Sequence, residues 1–205
     1  MTILEPRANK SAILDFIRAI TENTTVQLYE IRCIRGGNSI SSAFFSPQYN
    51  NEATDLIIRK NQRRYNIYMT INPIDPNSRI TKAATDTDIK CAHFCFADAD
   101  DEKGMEGLQV LSSKKPPDIV VTTGTIPYMR QHHYWRLNTP CTDMEKWRSY
   151  QKLIATSCGT DKHVINSSRL MRVAGTVSYP SKKKIAKGYV PELVSMHTRQ
   201  NDGTK

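Results

Sequence analysis

A chain of 205 residues is long enough for one substantial domain, and its 39% hydrophobic and 24% charged residues are typical of a globular protein. The formal net charge of +9 favours a polyanionic partner, with nucleic acid ahead of membrane lipid. No segment approaches membrane-spanning length, the start lacks the apolar run of a signal peptide, and the five cysteines show no repeated spacing. We therefore expect a cytoplasmic protein with reduced thiols and no membrane partner.

Hydrophobic periodicity and turn residues divide the chain into mixed helices and strands. In chain order the pattern predicts a helix at 10–23, strands at 26–34 and 42–46, a helix at 51–60, a strand at 65–71, a loop at 75–88, a strand at 91–98, a helix at 103–112, strands at 118–123 and 131–137, a helix at 143–157 and a strand at 169–177. Because strands and helices do not alternate strictly, the α+β class is favoured. We expect a single domain at residues 1–198, with two lobes at roughly 1–88 and 89–198, and a flexible tail at 199–205.

Two helices carry apolar residues at helical spacing. In the first, the expected inward face consists of Ile13, Phe16, Ile17 and Ile20, and Asn9 or Ser11 could cap the start. In the last long helix, packing is expected through Trp147, Tyr150, Leu153 and Ile154.

An acidic pair follows the hydrophobic strand that ends in Phe96-Ala97. Because side chains alternate across a strand, Asp98 and Asp100 face the same side. Such a pair can share hard divalent cations such as Mg²⁺ or Mn²⁺, which prefer oxygen ligands and bridge readily to phosphates. An isolated Asp-x-Asp is more often a solvated acidic turn, so the pair gains weight only from other motifs.

A second block, from Thr123-Gly124 to Trp135, contains two adjacent histidines. In strand geometry they point to opposite faces, and His132 shares its face with Arg136. Trp135 and Leu137 are expected in the core, which leaves His132 and Arg136 on a polar face where they could hold a nucleoside triphosphate. A histidine that caps a loop explains the same pattern about as well.

A third block combines one acid with several cations near the C-terminus. Asp161 could complete a carboxylate triad with the acidic pair. Arg169, Arg172 and one or more of the lysines at 182–184 could bind phosphates. The alternative is a surface strand with a solvated basic loop, which explains the lysines better than two arginines that flank apolar residues.

Taken together, the three blocks resemble the archaeo-eukaryotic primase superfamily, in the form found in plasmid and phage primase-polymerases. The matching segments are Asp98-Ala99-Asp100, then Thr123-Gly124 with His132-His133-Tyr134-Trp135, then Asp161 with Arg169-Leu170-Met171-Arg172-Val173-Ala174-Gly175-Thr176. The resemblance covers roughly residues 25–190. It departs from the family pattern at Ala174, where Pro is usual, at Ser178, where Asn is usual, and in a longer loop between Gly124 and the histidines. The alternation of strand faces selects His132 over His133.

The resemblance implies an active site on an antiparallel sheet related to the RNA-recognition motif, with an N-terminal α/β lobe packed beside it. It also implies that Asp98, Asp100 and Asp161 are catalytic and bind Mg²⁺ or Mn²⁺. The residues implied to bind the nucleotide are His132, Arg169, Arg172 and Lys184 or a neighbouring lysine.

The hypothesis that follows is the catalytic core of a DNA primase-polymerase in plasmid or phage DNA replication. A 3′-hydroxyl would attack the α-phosphate of a nucleoside triphosphate and release pyrophosphate. The expected partners are nucleoside triphosphates, a single-stranded DNA template tracked by Arg59, Arg63 and Arg64, and a helicase or helical priming domain in the same or another chain. Two alternatives stay open: a nicking initiator of plasmid or phage replication, which needs a tyrosine nucleophile, and a non-catalytic nucleic-acid-binding module.

Overall fold

A computed structural model describes residues 5–22 and 27–199, so the predicted end of the first helix at 23 and start of the first strand at 26 lie outside the described residues. The predicted helices and strands occur in the predicted order, and a short helix and two strands that were not predicted follow residue 181. Within the described residues the helices are α1 (Lys10–Thr21), α2 (Asn50–Gln62), α3 (Glu102–Lys114), α4 (Met144–Cys158) and α5 (Lys182–Ile185). The strands are β1 (Tyr29–Arg35), β2 (Asn38–Phe45), β3 (Asn66–Thr70), β4 (Ala92–Ala99), β5 (Ile119–Gly124), β6 (Arg130–Cys141), β7 (Leu170–Arg172), β8 (Val177–Ser178), β9 (Glu192–Leu193) and β10 (Ser195–Thr198). Short 3₁₀ turns lie at Pro47–Tyr49 and Asp86–Asp88, the second inside the predicted loop at 75–88.

Two four-stranded antiparallel sheets form the framework. The first has the order β2-β1-β3-β7 and the second the order β10-β5-β6-β4, while β8 and β9 pair separately. The segment from β4 to α4 follows the order strand, helix, strand, strand, helix, which is that of a ferredoxin-like unit such as the RNA-recognition motif. The predicted α+β class and antiparallel sheet are thereby confirmed.

The last predicted strand, 169–177, is divided into β7 and β8. Gly175, between them, has a φ of +80°, and a Cβ at this position would overlap the backbone of Ile13 in α1. Strand β7 pairs with β3 of the first sheet, although it comes from the second half of the chain. The proposed boundary between lobes at residue 88 therefore separates β1–β3 from β4–β6, whereas β7 returns to the N-terminal sheet.

Helix α1 begins where the Asn9 side chain accepts a hydrogen bond from the Ala12 N–H, so the structure selects Asn9 over Ser11 as N-cap. The four predicted apolar residues of this helix are all buried, as expected. They join residues of both sheets, including Ile67 and Phe94, in one hydrophobic cluster. The two sheets thus share a single core.

The prediction for α4 is wrong at two of its four positions. Trp147 is buried and Ile154 is partly buried, but Tyr150 and Leu153 are 49% and 63% exposed. The inward face instead continues from Trp147 through Gln151, Ala155 and Cys158. At Cys158 this face packs so closely against α3 that a Cβ on Gly107 would overlap the Cys158 carbonyl. Gln151 faces inward because its amide bonds to β4.

Strand β4 lies at an edge of its sheet, and side-chain amides pair with its free backbone groups. The Asn72 Oδ1 accepts hydrogen bonds from the His93 and Phe94 N–H groups at 3.0 and 3.1 Å. The buried Gln151 accepts from the Phe96 N–H at 2.9 Å and donates to the carbonyls of Phe96 and Val164, each at 3.0 Å. These bonds connect β4 to the end of β3, to α4 and to the segment after α4.

The predicted tail begins at Arg199, whose backbone N–H donates to the Asp118 carbonyl, and residues 200–205 lie outside the described part. Across residues 5–22 and 27–199, no helix combines the length and apolar character needed to cross a membrane.

Replacement of Gln151 by leucine should lower the free energy of unfolding by about 3 kcal/mol or more, because a buried backbone group left without a partner costs about 1–3 kcal/mol and three are affected. Chemical denaturation of Gln151→Leu measures the loss. Lys152→Ala, on the exposed face of the same helix, is the matched control and should stay within about 0.5 kcal/mol of wild type. A leucine variant as stable as the control would contradict the role of this amide.

Candidate active site

A cleft of about 350 Å³ opens between the two sheets and contains most of the predicted site residues. We call it the central cleft. Its walls include Asp98, Asp100, His132, Arg169, Arg172 and Lys184. The acids and the histidine come from the second sheet, whereas the two arginines flank or belong to β7 of the first sheet. The cleft therefore depends on how the two sheets pack.

Asp98 lies within β4, directly opposite His132 of β6 in the strand register. Its Oδ1 is 3.5 Å from the His132 Nε2, is buried, and has no hydrogen-bond partner. Burial and the nearby Asp100 carboxylate raise the pKa of Asp98 to about 7. A buried acceptor of this kind is a suitable ligand for a cation.

The other acids after β4 have different surroundings. Asp100 lies just beyond the strand end, is exposed and lines the same cleft as Asp98, as strand alternation predicts. Asp101 instead caps α3, because its Oδ1 accepts a hydrogen bond from the Gly104 N–H at 2.8 Å. The acidic run thus divides into two residues of the cleft and one helix cap.

Asp161 lies close to the acidic pair but is engaged by other groups. Its backbone N–H donates to the Asp98 carbonyl at 3.3 Å. Its Oδ1 contacts His163 Nδ1 at 2.9 Å and its Oδ2 contacts Arg169 Nη2 at 3.3 Å. Burial raises the pKa of Asp161, but the hydrogen bonds from His163 and the Arg169 charge outweigh it, so the pKa is lowered overall.

In the part of the chain that the structure describes, no three His, Cys, Asp or Glu side chains are arranged to ligate one ion. The predicted carboxylate triad is therefore not assembled, and Asp161 as a third ligand stays a prediction. The pair formed by Asp98 and Asp100 does fit a divalent cation, since the Asp98 Oδ1 is a buried oxygen without a partner beside a second carboxylate.

His132 is the histidine that faces the central cleft, as the alternation of strand faces predicts. Its Nδ1 lies 3.1 Å from the Tyr134 hydroxyl. Burial, together with the charges of Arg172 and Arg169, lowers the pKa of His132 to about 3, so the ring is neutral. His133 points to the opposite face, where it contacts Ser112 and Gln131.

The two predicted arginines differ in how firmly they are held. Arg172 donates to the Asn66 Oδ1 at 2.7 Å and to the Tyr68 hydroxyl at 2.9 Å, and its guanidinium lies over the Tyr68 ring. Arg169 contacts Asp161, but its buried Nε has no hydrogen-bond partner. The central cleft therefore contains an unpaired buried donor as well as the unpaired acceptor on Asp98.

Several residues of the central cleft had no clear signal in the sequence. Arg130 is buried between the rings of Tyr128 and Tyr189 and forms an ion pair with Glu192 at 2.9 Å. This pair joins the first residue of β6 to β9, which follows the segment that contains Lys184. Arg130 and Glu192 are 62 residues apart in the chain, so no local sequence pattern could indicate this ion pair.

Arg136 does not bind in the central cleft, which contradicts the expectation that it holds a triphosphate with His132. Its Nη2 donates to the Ala19 carbonyl at 2.7 Å and pairs with Glu22, and its guanidinium lies over the Phe94 ring. The two residues share a face, but four residues of extended strand span roughly 13 Å. Arg136 instead binds the C-terminal end of α1.

The arginines predicted to track DNA lie at or beyond the C-terminal end of α2. Arg59 and Arg63 are exposed. Arg64 pairs with Glu5 at 2.6 Å and lies 5.9 Å from the centroid of the Tyr179 ring, and Tyr179 lines the central cleft. Of the three, Arg64 is therefore the one in contact with a residue of the cleft.

The chain has the fold of archaeo-eukaryotic primase domains. The primase-polymerase domain of cyanophage S-2L superposes with a TM-score of 0.63 at 19% identity over 94% of this chain and 91% of that domain. Primase RepB′ gives a TM-score of 0.59 at 12% identity over 90% of this chain and 56% of that one. The catalytic domain of RepB′, solved with initiator DNA, gives 0.56 at 14% identity over 96% and 86%. No protein-family model and no curated protein matches the sequence.

Without metal, the stability of the protein should decrease as the pH rises from about 4 to about 7. An unfolded Asp ionises near pH 4, whereas folded Asp98 keeps its proton up to a pKa of about 7, so folding takes up a proton in this window. Asp98→Asn, measured by thermal denaturation in a chelator, should weaken the pH dependence. Added Mg²⁺ or Mn²⁺ at pH 8 should stabilise wild type more than the variant. Equal pH profiles would contradict the buried state of this carboxyl.

Proposed function

We propose that this protein is the catalytic core of a DNA primase-polymerase that acts in plasmid or phage DNA replication. It would transfer a nucleotidyl group from a nucleoside triphosphate to a 3′-hydroxyl on a template, with release of pyrophosphate. The observation that carries the proposal is the pair of unpaired buried atoms in the central cleft, the Asp98 Oδ1 and the Arg169 Nε. The carboxylate oxygen of Asp98 needs a cation, and the guanidinium nitrogen of Arg169 needs a hydrogen-bond acceptor. A phosphate with a bound metal ion provides both.

Asp98 and Asp100 would hold a divalent cation such as Mg²⁺ or Mn²⁺, which when bound neutralises charge on the phosphoryl oxygens. Asp161 would be a third ligand only after releasing Arg169 or His163, which it contacts in the described geometry. Until then it orients Arg169.

The cations of the central cleft are placed to hold a triphosphate. Arg169 and Arg172, which flank or belong to β7 of the opposite sheet, lie close enough to Asp98 for their charges to act on its pKa, and Lys184 of α5 lines the same cleft. Arg172 is fixed in position by Asn66 and Tyr68, so little side-chain entropy is lost when it binds a phosphate. Because phosphoryl transfer depends mainly on position and charge, these residues would supply most of what the chain contributes to the reaction.

The neutral His132 ring would donate to the nucleotide through Nε2. This nitrogen faces the Asp98 carboxylate, so a lone pair here would be repelled and the hydrogen is favoured on Nε2. The Nδ1 is then the acceptor of a hydrogen bond from Tyr134, whose phenol stays protonated because burial raises its pKa. Tyr134 would thus position His132 and reinforce the tautomer that Asp98 favours.

The polyanionic partner favoured by the net charge would be a single-stranded DNA template. Arg59, Arg63 and Arg64 would contact its backbone, since all three are exposed at or just beyond the end of α2 and Arg64 lies beside Tyr179 of the cleft. A helicase or helical priming domain, in the same or another chain, would work with this core.

Asp98→Ala and Asp100→Ala should each reduce nucleotide incorporation by roughly 10²-fold or more, since electrostatic stabilisation of a transition state has that magnitude. Dinucleotide synthesis and primer extension with Mg²⁺ or Mn²⁺ measure the loss. Asp101→Asn is a neighbouring control that retains a capping side chain and should stay close to wild type. Undiminished activity in the double variant Asp98→Ala/Asp100→Ala would refute the assignment, and a covalent protein–DNA adduct would favour the nicking alternative.

Tyr134→Phe should raise the KM for the nucleotide about 5- to 10-fold with a smaller change in kcat, because it removes one hydrogen bond of about 1 kcal/mol that orients His132. Steady-state kinetics at several nucleotide concentrations separate the two constants. In ¹⁵N spectra of the imidazole, the variant should show a weaker preference for hydrogen on Nε2, because only the Asp98 carboxylate then favours this tautomer. An unchanged tautomer would show that Tyr134 does not position this ring.

A further inference from the structure

A group of cations and tyrosines lies where the C-terminal end of α2 meets β1 and the segment after β8. It consists of Arg35, Lys60, Arg64, Tyr65 and Tyr179, and we call it the tyrosine–arginine surface. The Arg35 Cζ and Lys60 Nζ lie 5.5 and 5.4 Å from the centroid of the Tyr65 ring. With Arg64 beside Tyr179, every ring of this surface has a cation next to it.

Arg64 has an unfavourable backbone conformation. It follows the C-cap of α2 with a φ of 62°, and among the described residues it is the one non-glycine position with a positive φ. Glycine is the favoured residue at this position after a helix, because a Cβ is strained there. Strain of this kind at a non-glycine residue points to a role for its side chain, and the Arg64 guanidinium extends towards Tyr179.

Two asparagines fix the backbone beneath the tyrosines. The buried Asn61 donates to the carbonyls of Tyr65 and Val177, each at 2.9 Å. Asn66 accepts from the Tyr179 N–H at 2.8 Å and donates to its carbonyl at 2.9 Å. The Asn66 Oδ1 also accepts from Arg172, which lines the central cleft. The tyrosine–arginine surface is therefore rigid and continuous with the phosphate-binding part of the cleft.

We infer that the tyrosine–arginine surface binds a single-stranded DNA segment next to the central cleft. Cations interleaved with aromatic rings suit this ligand, because phosphates pair with the cations while unpaired bases stack on rings or guanidinium planes. The bases of a duplex are already stacked and paired, so a single strand fits better. Glu5 is 72% exposed, so its ion pair with Arg64 is weak enough for a phosphate to replace it. That this strand is the template rests on the proposed function.

Arg64→Gly separates a binding role from a structural one. Glycine relieves the positive φ, so the melting temperature should stay unchanged or rise. Binding of a fluorescent oligothymidylate, followed by anisotropy in a chelator, should nevertheless weaken. The slope of log K against log salt should become shallower by roughly 0.7, as expected for the loss of one phosphate contact with a single strand. Lys152→Ala, on the exposed face of α4, removes a charge elsewhere and should leave the slope unchanged.

Tyr179→Leu tests stacking. It should weaken oligothymidylate binding about 5-fold or more while the salt slope stays the same, because stacking is not ionic. An abasic oligonucleotide keeps the phosphates but lacks the bases, so its affinity should not respond to this substitution. Tyr150→Leu is the matched control, since Tyr150 is an exposed tyrosine on α4, and it should bind both probes like wild type.

The inference is overturned if Arg64→Gly keeps wild-type affinity and salt slope, or if Tyr179→Leu affects the abasic probe as much as the normal one. Equal losses for Tyr150→Leu and Tyr179→Leu would also overturn it. These binding measurements use neither a metal ion nor a nucleoside triphosphate. A protein that binds DNA as described but incorporates no nucleotide would therefore contradict only the proposed function, whereas an active protein with unaffected DNA binding in the variants would contradict only this inference.

Discussion

The hydrogen bonds that complete the outer edge of β4 are the constraint on which the rest of the structure depends. An edge strand exposes backbone groups that must find partners when they are buried. Here the partners are the amides of Asn72 and Gln151 and the backbone N–H of Asp161. Since these residues come from the end of β3, from α4 and from the segment after it, the same bonds that satisfy β4 also set the positions of these elements around Asp98.

Opposite charges reach the central cleft from different sheets. Asp98 and His132 face each other across β4 and β6, whereas Arg172 belongs to β7 beside β3. One hydrophobic cluster lies under both sheets, so their relative position is held by the core rather than by the charged groups themselves. Rigid support of this kind keeps Asp98 Oδ1 and Arg169 Nε unpaired, although each would be more stable with a partner.

Part of the third sequence block is structural rather than chemical. Gly175 takes a positive φ and packs so close to α1 that a side chain would overlap Ile13, and the Thr176 hydroxyl donates to the Val173 carbonyl at 2.6 Å. These contacts form the turn after β7 and fix the strand against β3. Arg172 reaches the central cleft because of this turn. A motif read as one chemical unit therefore contains both the group that would bind phosphate and the turn that positions it.

The sequence by itself determined the features that depend on neighbouring residues. Helical spacing identified the inward face of α1, and strand alternation placed Asp98 with Asp100 and chose His132, because both periods follow from backbone geometry. Tertiary structure alone decided the partners of Gln151, the remote position of Arg136 and the exposure of part of α4. These depend on which elements pack together, and contacts between residues far apart in the chain leave no local pattern to read.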